Sequence, residues 1–274
     1  MWYLLALTLL LGATPAAAQQ DAPVPIQDNS FLVEEAYNQE RGVVQHVSTF
    51  SRAAGAGEWT YTFTQEWPVG GRRHQLSYTL PVSRLAADGQ NRTGLGDLGL
   101  NYRYQLGSAE SSIAFAPRAT LLLPTGATRW GLGAGGAGAQ VNLPLSVVLP
   151  ASLVVHSNAG ASYTPQAHDA VGNRAATVDY ALGQSVVWLA HPKLNLLLEA
   201  VWSRTEDVIG PGRTGPSTAL LLAPGVRGAI DLASGLQIVP GLAFPVGVGP
   251  SRGDRSVFAY LSFEHSFAKP TPRP

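Results

Sequence analysis

A side-chain alternation with a period of two runs through most of the chain after residue 42. In the stretch 58–69, EWTYTFTQEWPV, Trp59, Tyr61 and Phe63 share one face, while threonine and glutamate occupy the other. This period indicates β-strands, because successive side chains of a strand point to opposite faces. Strands in globular proteins average about five or six residues, but a tilted strand that crosses a bilayer needs about nine to eleven. The predicted strands run for roughly ten to fifteen residues, which favours a sheet that spans a membrane.

The predicted strands and their connections follow a regular order. Clear alternation also marks 74–82 and 95–106, and weaker alternation marks 42–52, 111–124, 134–145, 150–164, 176–190, 193–205, 217–230, 235–246 and 255–267. Short connections take turns with mostly longer, glycine-rich and polar ones, such as 86–94, 164–174 and 205–215. Outer-membrane barrels show this pattern of short periplasmic turns and longer external loops. We therefore predict an all-β fold, a transmembrane antiparallel up-and-down β-barrel of about twelve strands in the bacterial outer membrane, with a short N-terminal periplasmic or plug segment.

A secreted β-sandwich is the alternative that alternation alone leaves open, because two sheets can bury their apolar faces against each other. The composition weighs against it. Charged residues make up 13% of the chain, about half the usual share in soluble domains. Strand length and the order of short and long connections point the same way, so the barrel is the favoured fold.

Composition also limits the chemistry. The formal net charge is zero, so electrostatics give no support for nucleic acid as a partner. The chain contains no cysteine, which excludes disulfides, thiolate catalysis and cysteine-ligated metals. The sequence has no HExxH, P-loop or EF-hand motif, and we expect no metal and no cofactor.

The N-terminus has the features of an export signal. An apolar run is followed by Ala16, Ala17 and Ala18, a small-residue cleavage site just before Gln19, although the start carries no lysine or arginine. We expect four parts: a signal peptide at 1–18, an N-terminal periplasmic or plug segment at 19–41, the barrel at 42–267 and a periplasmic tail at 268–274. No apolar run is long enough for a transmembrane helix.

The last predicted strand, FAYLSFEHSF, is rich in aromatic residues and ends on Phe267. Barrels close by pairing the last strand with the first, so we expect 255–267 to pair with 42–52. Phe263 and Phe267 resemble the terminal signal that the barrel assembly machinery recognises, although His265 and the tail after Phe267 depart from it. The prolines of that tail cannot extend the strand.

Two stretches resemble a known family. SFLVEEAYNQERGVVQHV at 30–47 and GLGDLGLNYRYQL at 94–106 are similar to outer-membrane transporters named for the MetA-pathway of phenol degradation. The resemblance covers the mature chain but is strong only in these two stretches. It implies a transporter for aromatic or other hydrophobic molecules, and no motif residue assigns a substrate.

Extrapolating the alternation places a set of polar and ionisable side chains inside the barrel. They are Glu66, Asp97, Asn101, Arg103, Arg118, His156, Asp179, Glu199, Arg227 and Glu264. Strand direction places four of them towards the periplasmic end: Glu66, Arg103, Arg227 and Glu264. Arg118 and Glu199 are expected near the middle of the barrel's height. These groups either pair with one another and fill a narrow lumen, or line a polar path and hold a plug.

The plug candidate is 28–38, DNSFLVEEAYN, just before the first strand. Asp28, Asn29 or Ser30 can cap a short helix whose first turns carry Glu34 and Glu35. We expect Phe31 and Tyr37 to be buried. We expect Glu34 and Glu35 to pair with Arg103 and Arg227. Glu66 and Glu264 are rival partners for the same two arginines. The alternative is a periplasmic leader outside the barrel.

Catalysis is not expected. His156 is followed by Ser157 and Asn158, the residue types of an outer-membrane phospholipase, but adjacent strand residues point to opposite faces. The favoured function is a passive channel for small, hydrophobic or aromatic, solutes. The alternatives are a structural or adhesive barrel with a closed lumen and, less favoured, a lipid-modifying enzyme. The expected partners are outer-membrane lipids, the barrel assembly machinery and a small-molecule solute.

Overall fold

The computed structural model describes residues 26, 28–55, 57–87, 90–107, 111–232 and 236–267. Within these residues, twelve antiparallel strands form a closed barrel, which confirms the predicted fold class. The strands are β1 (Val43–Ala53), β2 (Trp59–Pro68), β3 (His74–Ala87), β4 (Gln90–Leu95 and Leu98–Tyr104), β5 (Ile113–Phe115 and Arg118–Leu123), β6 (Gly138–Asn142 and Leu145–Leu149), β7 (Leu153–His168), β8 (Arg174–His191), β9 (Leu194–Gly210), β10 (Arg213–Gly228 and Ile230–Asp231), β11 (Gln237–Ala243 and Val246–Gly247) and β12 (Ser256–Ser266). In this part of the chain, no helix is long and apolar enough to cross a membrane. The predicted signal peptide and the tail at 268–274 lie outside the described residues.

The barrel closes between its first and last strands, as the sequence predicted. The β1–β12 pairing runs from Val43 opposite Ser266 to Ala53 opposite Ser256. The Phe267 N–H donates to the Gly42 carbonyl at 2.8 Å and extends the ladder by one bond. Phe267 is 60% exposed on the outer surface at the periplasmic rim. The role of Phe263 and Phe267 in assembly stays a prediction.

The two faces of the barrel wall differ in polarity in the way the alternation predicted. On β4, Leu100 and Tyr102 are 43% and 42% exposed on the outer surface, whereas Asn101 and Arg103 point inward and are 6% and 3% exposed. An apolar outer face and a polar interior suit a barrel surrounded by lipid. The closed barrel and this facing place the protein in the bacterial outer membrane.

Several strands are longer than predicted. Strand β3 contains 14 residues, strands β7 to β9 contain 16, 18 and 17, and the first part of β10 contains 16. Much of each predicted loop, 86–94, 164–174 and 205–215, belongs to strands, so the connections are shorter than predicted. For example, β9 ends at Gly210 and β10 begins at Arg213. An antiparallel ladder satisfies the backbone whatever the side chains are, so polar residues continue the strands beyond the apolar band.

Prolines interrupt other strands, which periodicity did not predict. Strand β5 breaks before Pro117, β6 breaks at Pro144 and β11 breaks before Val246 at Pro245. Proline has no N–H to donate to the ladder. Strand β6 also continues to Leu149, so the turn into β7 lies later than the predicted turn near 145–150.

The main buried apolar cluster lies inside the barrel, where the segment before β1 enters the lumen. Ile26 and Phe31 of that segment contribute to it, together with inward side chains of the wall: Val47, Val187, Leu197, Val239, Ala243, Phe258 and Tyr260. A lumen filled in this way makes the position of the N-terminal segment part of the fold.

The facing of β4 generates a stability prediction. We expect Leu100→Arg to lower the free energy of unfolding by about 2–4 kcal/mol, because the charge lies against lipid near mid-membrane. Leu194→Arg at the periplasmic start of β9 is the control, since it lies near the interface, where the loss is about 0–1 kcal/mol. Urea unfolding in lipid vesicles measures both, and equal losses would contradict the assigned membrane depth.

Candidate functional site

The segment before β1 crosses the lumen in its periplasmic half. Its backbone N–H groups donate to side chains of the barrel wall rather than to one another. Ala36 donates to Ser146 Oγ on β6 at 2.8 Å, and Asn38 donates to the Gln105 amide oxygen just after β4 at 2.8 Å. The described residues 28–38 contain no helix, so the predicted capped helix is wrong.

Glu199 on β9 explains why no helix forms. Its buried carboxylate accepts the backbone N–H groups of Phe31 at 3.1 Å, Leu32 at 3.0 Å and Val33 at 3.2 Å. Three successive amides directed at one anion form a concave anion-binding arrangement. Charge-assisted bonds of this kind are stronger than bonds between neutral groups, and they bend the chain away from helical geometry.

Arg227 on β10 holds the start of the same segment. It is almost fully buried, and its guanidinium donates to the Asp28 and Asn29 carbonyls, the second at 2.8 Å. Its distance to the Glu35 carboxylate is 3.4 Å. Burial raises the pKa of the Glu35 carboxyl to about 7, and the positive charge of Arg227 opposes this rise. Arg227 therefore binds both the backbone and a side chain of the segment.

Arg103 and Arg118 bind the other half of the segment, with partners that differ in part from those predicted. Arg118 on β5 pairs with Glu34, with Nε to Oε2 at 3.0 Å. Arg103 on β4 donates to the Tyr37 carbonyl at 2.7 Å and lies 3.6 Å from the competing Glu66 carboxylate. Glu34, predicted to pair with Arg103 or Arg227, pairs with Arg118 instead. The two arginines are cross-strand partners, so the predicted difference in their height is wrong.

Phe31 anchors the segment by packing. Its ring centre lies 5.7 Å from that of Phe258 and 5.5 Å from that of Tyr260. The neighbouring strands β10 and β11 offer Gly225 and Gly241, where an added Cβ would lie 2.5 Å and 2.4 Å from the Phe31 ring. Such distances are not tolerated in a close-packed interior, so both glycines are needed for the ring to fit.

Asp28 was one of the residues predicted to cap a helix. Its carboxylate instead accepts from Gln45 on β1 at 2.7 Å, from Tyr260 at 2.6 Å and from Ser262 on β12. Because β1 and β12 close the barrel, this one carboxylate joins the N-terminal segment to the closing seam.

A serine, a histidine and a glutamate meet under the segment. Ser146 Oγ lies 2.7 Å from His156 Nδ1, and His156 Nε2 lies 3.6 Å from the Glu35 carboxylate. Ser146 is fully buried and already accepts the Ala36 N–H. Moving the segment to expose Ser146 also removes Glu35, so the three groups do not stay together when a substrate can enter. Their arrangement fits a structural role, and Ser157 points to the other face, as predicted.

Asp97 binds an external connection rather than the N-terminal segment. Its two oxygens accept the N–H groups of Gly126 at 2.9 Å and Ala134 at 2.7 Å, both in the connection between β5 and β6. From this connection, the buried Leu132 packs over Gly94 on the inner side of β4. The stretch GLGDLGL thus holds an external loop against the mouth of the barrel.

The other predicted lumen residues also face inward, at positions away from the segment or at its edge. Asn101 on β4 donates to Ser77 Oγ at 3.1 Å. Asp179 on β8 accepts the Glu206 N–H at 2.9 Å near the external end. Glu264 on β12 lies opposite Gln45 near the periplasmic rim.

The sequence analysis missed the uncharged groups that bind the segment. Ser30 bonds Ser185 on β8 with an Oγ–Oγ distance of 3.1 Å, and the side-chain oxygen of Asn158 on β7 accepts the Glu34 N–H at 2.8 Å. The alternation assigned such residues to the inner face. Nothing in the pattern separates a serine that binds the segment from one that only lines the lumen.

Cavities lie on opposite sides of the segment. On its external side, the outer cavity of about 350 Å³ is lined by Phe31 to Glu34 and by inward residues of β1 to β5. A second external cavity of about 370 Å³ is lined by Leu32 and Glu34 and by residues of β6 to β9. The inner cavity, about 240 Å³, is lined by Ile26, Glu35 and Tyr37 and by His156 and Arg227. The segment therefore separates the external cavities of the lumen from the inner one.

Removing the carboxylate of Glu199 tests how the segment is held. We expect Glu199→Ala to speed hydrogen exchange at Phe31, Leu32 and Val33 roughly tenfold or more, because hydrogen bonds to a charged group contribute about 1.5–3 kcal/mol. Hydrogen–deuterium exchange of the folded protein measures this. Asp179→Ala, which removes an inward carboxylate of the neighbouring strand, is the control, and an equal effect there would contradict the assignment.

The Asp97 contacts give a second expectation, for the external loop. Asp97→Ala leaves the N–H groups of Gly126 and Ala134 without their carboxylate, so the loop should open more often. We expect faster trypsin cleavage after Arg129, while Asp97→Asn, which keeps one acceptor, should show a smaller change. Unchanged cleavage in both variants would show that Leu132 alone holds the loop.

No model of a known protein family matches the chain, and no curated protein matches it. Solved structures share its fold. The COG4313 outer membrane channel from Pseudomonas putida F1 aligns with a TM-score of 0.62 and 15% identity, over 85% of this chain and 98% of that one. The NanC porin aligns with a TM-score of 0.51 and 9% identity, over 80% of this chain and 98% of that one. At these identities the likeness establishes the fold of an outer-membrane barrel.

Proposed function

We propose that the protein is a passive outer-membrane channel whose N-terminal segment acts as a plug. A solute enters between the external loops, crosses the lumen and leaves on the periplasmic side when the segment moves. The observation that carries this proposal is the pair of cavities that the segment separates. The likeness to a channel and a porin supports the same class of function.

The contacts of the segment are suited to reversible release. Apart from the apolar packing of Ile26 and Phe31, they are hydrogen bonds and ion pairs made to wall side chains, and water can replace each of these polar contacts when the segment leaves. Among the described residues, no covalent cross-link joins the segment to the barrel wall. The segment is followed directly by β1, so it can leave towards the periplasm without breaking the ladder.

The solute is proposed to be small, since the cavities that border the segment have volumes of about 350, 370 and 240 Å³. The family resemblance suggests hydrophobic or aromatic molecules. The wall of the outer cavity carries many hydroxyl and amide groups, so a purely apolar solute is less well supported than one with polar groups. Phe263 and Phe267 remain our proposal for the signal read by the barrel assembly machinery.

A structural barrel with a sealed lumen is the second candidate, favoured by how completely the segment is bonded. Arg227 on β10 and Glu199 on β9 bond its backbone, and its own Asp28 carboxylate accepts from β1 and β12. If the lumen is sealed, the intact protein should not conduct, and neither should a protein whose segment is cross-linked to the wall.

A disulfide lock distinguishes the two candidates. The chain contains no cysteine, and the Ser30 and Ser185 oxygens lie 3.1 Å apart, so cysteines at these two positions place their sulfur atoms close to each other. We expect the double variant Ser30→Cys with Ser185→Cys to lose its single-channel openings in planar bilayers when oxidised and to regain them when reduced. Ser30→Cys alone, under the same oxidant, should keep them.

Deletion of residues 22–38 completes the experiment. A plug predicts larger or more frequent openings after the deletion, because the cavities on its two sides become continuous. A protein that conducts equally with the segment locked, free or absent would leave the segment without a gating role. Absence of conductance in all three forms would support the sealed barrel.

A further inference from the structure

The outer cavity has a wall of paired hydroxyl and amide groups. Thr64 on β2 and Thr79 on β3 lie 3.0 Å apart, oxygen to oxygen. On β4 and β5, Thr120 donates to Asn101 at 2.7 Å, and Asn101 donates to Ser77 at 3.1 Å. Each hydroxyl offers one donor and two acceptor sites. The pairs therefore keep free capacity to bond a solute that itself both donates and accepts.

The charged side chains that line this cavity are already neutralised. Among the described lining residues, Arg118 pairs with Glu34 and Arg103 lies 3.6 Å from Glu66. Asp97 is bonded to two backbone N–H groups. A charged solute would lose water here without gaining a free counter-charge, which is unfavourable. The cavity is therefore suited to a neutral solute.

The lining also has an apolar part. Phe31 and Leu32 form the periplasmic boundary of the cavity, and Val47 on β1 and Leu122 on β5 belong to its wall. Ligand sites combine apolar lining with a few oriented polar groups. A sugar ring has this dual character, with hydroxyl groups at its edge and C–H groups on its faces.

We propose that the outer cavity is a binding site for a small neutral polyhydroxylated solute, such as a monosaccharide. This inference rests on the proposed channel function and names its solute class. The volume of about 350 Å³ falls within the range of small-molecule sites, about 300–1,000 Å³. The cavity borders the plug, so a solute bound there contacts the segment at Phe31 and Leu32.

Binding of matched sugars to the full mature protein in detergent tests the proposal, using isothermal titration calorimetry. The probes are D-glucose, its cationic analogue glucosamine, its anionic analogue glucuronate, and toluene as an apolar ring. We expect glucose to bind at least about tenfold more tightly than either charged sugar. The same affinity for all three sugars, or binding of toluene without glucose, would overturn the proposal.

A pair of matched double variants locates the site. Thr64→Val with Thr79→Val removes both hydroxyls of one pair at the cavity, and we expect glucose affinity to fall roughly three- to tenfold. Thr60→Val with Ser83→Ala removes the neighbouring pair, 3.0 Å apart on the same two strands but not part of the cavity lining. This control should bind glucose as the wild type does. Equal loss in both variants places binding elsewhere and overturns the assignment.

Calorimetry separates this inference from the channel function. Binding requires no conduction, so a protein that binds glucose selectively in its outer cavity but never conducts would overturn the channel and not the site. A protein that conducts but binds no neutral sugar would overturn the site and not the channel.

Discussion

The backbone of the N-terminal segment has no sheet or helix partner, and the side chains of the barrel wall take that place. Each buried N–H group needs an acceptor, and the wall supplies a carboxylate to three of them at Glu199 and a hydroxyl to another at Ser146. The inward residues of the barrel are therefore matched to one path of the chain. The cavities on the two sides of the segment, and the gate proposed between them, follow from that path.

Several charged side chains of the barrel wall have their partners on the segment. Arg118 is paired by Glu34, and Arg227 is bonded by the backbone at Asp28 and Asn29. Withdrawal of the segment leaves these arginines, and the Glu199 carboxylate, to water. A buried charge that loses its partner is strongly unfavourable unless water replaces that partner. In the proposed channel, opening would therefore require hydration of the lumen.

Several features followed from the sequence because they depend on local pattern. The inward position of Asn101 and Arg103 and the closure of β12 on β1 were predicted from a period of two. The predicted helix at 28–38 was wrong, because Glu199, far away in sequence, competes for the same backbone N–H groups. The strand ends were misplaced where polar residues continue a ladder beyond the lipid, as in β8 and β9.

The sequence by itself determined the barrel, its location and which face of each strand points inward, because alternation and strand length are properties of neighbouring residues. Tertiary structure alone decided the partners inside the lumen. The Phe31 ring packs against Gly225 and Gly241, and Glu34 pairs with Arg118 rather than with Arg103 or Arg227. The lumen brings together residues separated by 84 positions, as in Glu34 and Arg118, or by 168, as in Phe31 and Glu199. Their pairing depends on barrel curvature and strand register, which no local period encodes.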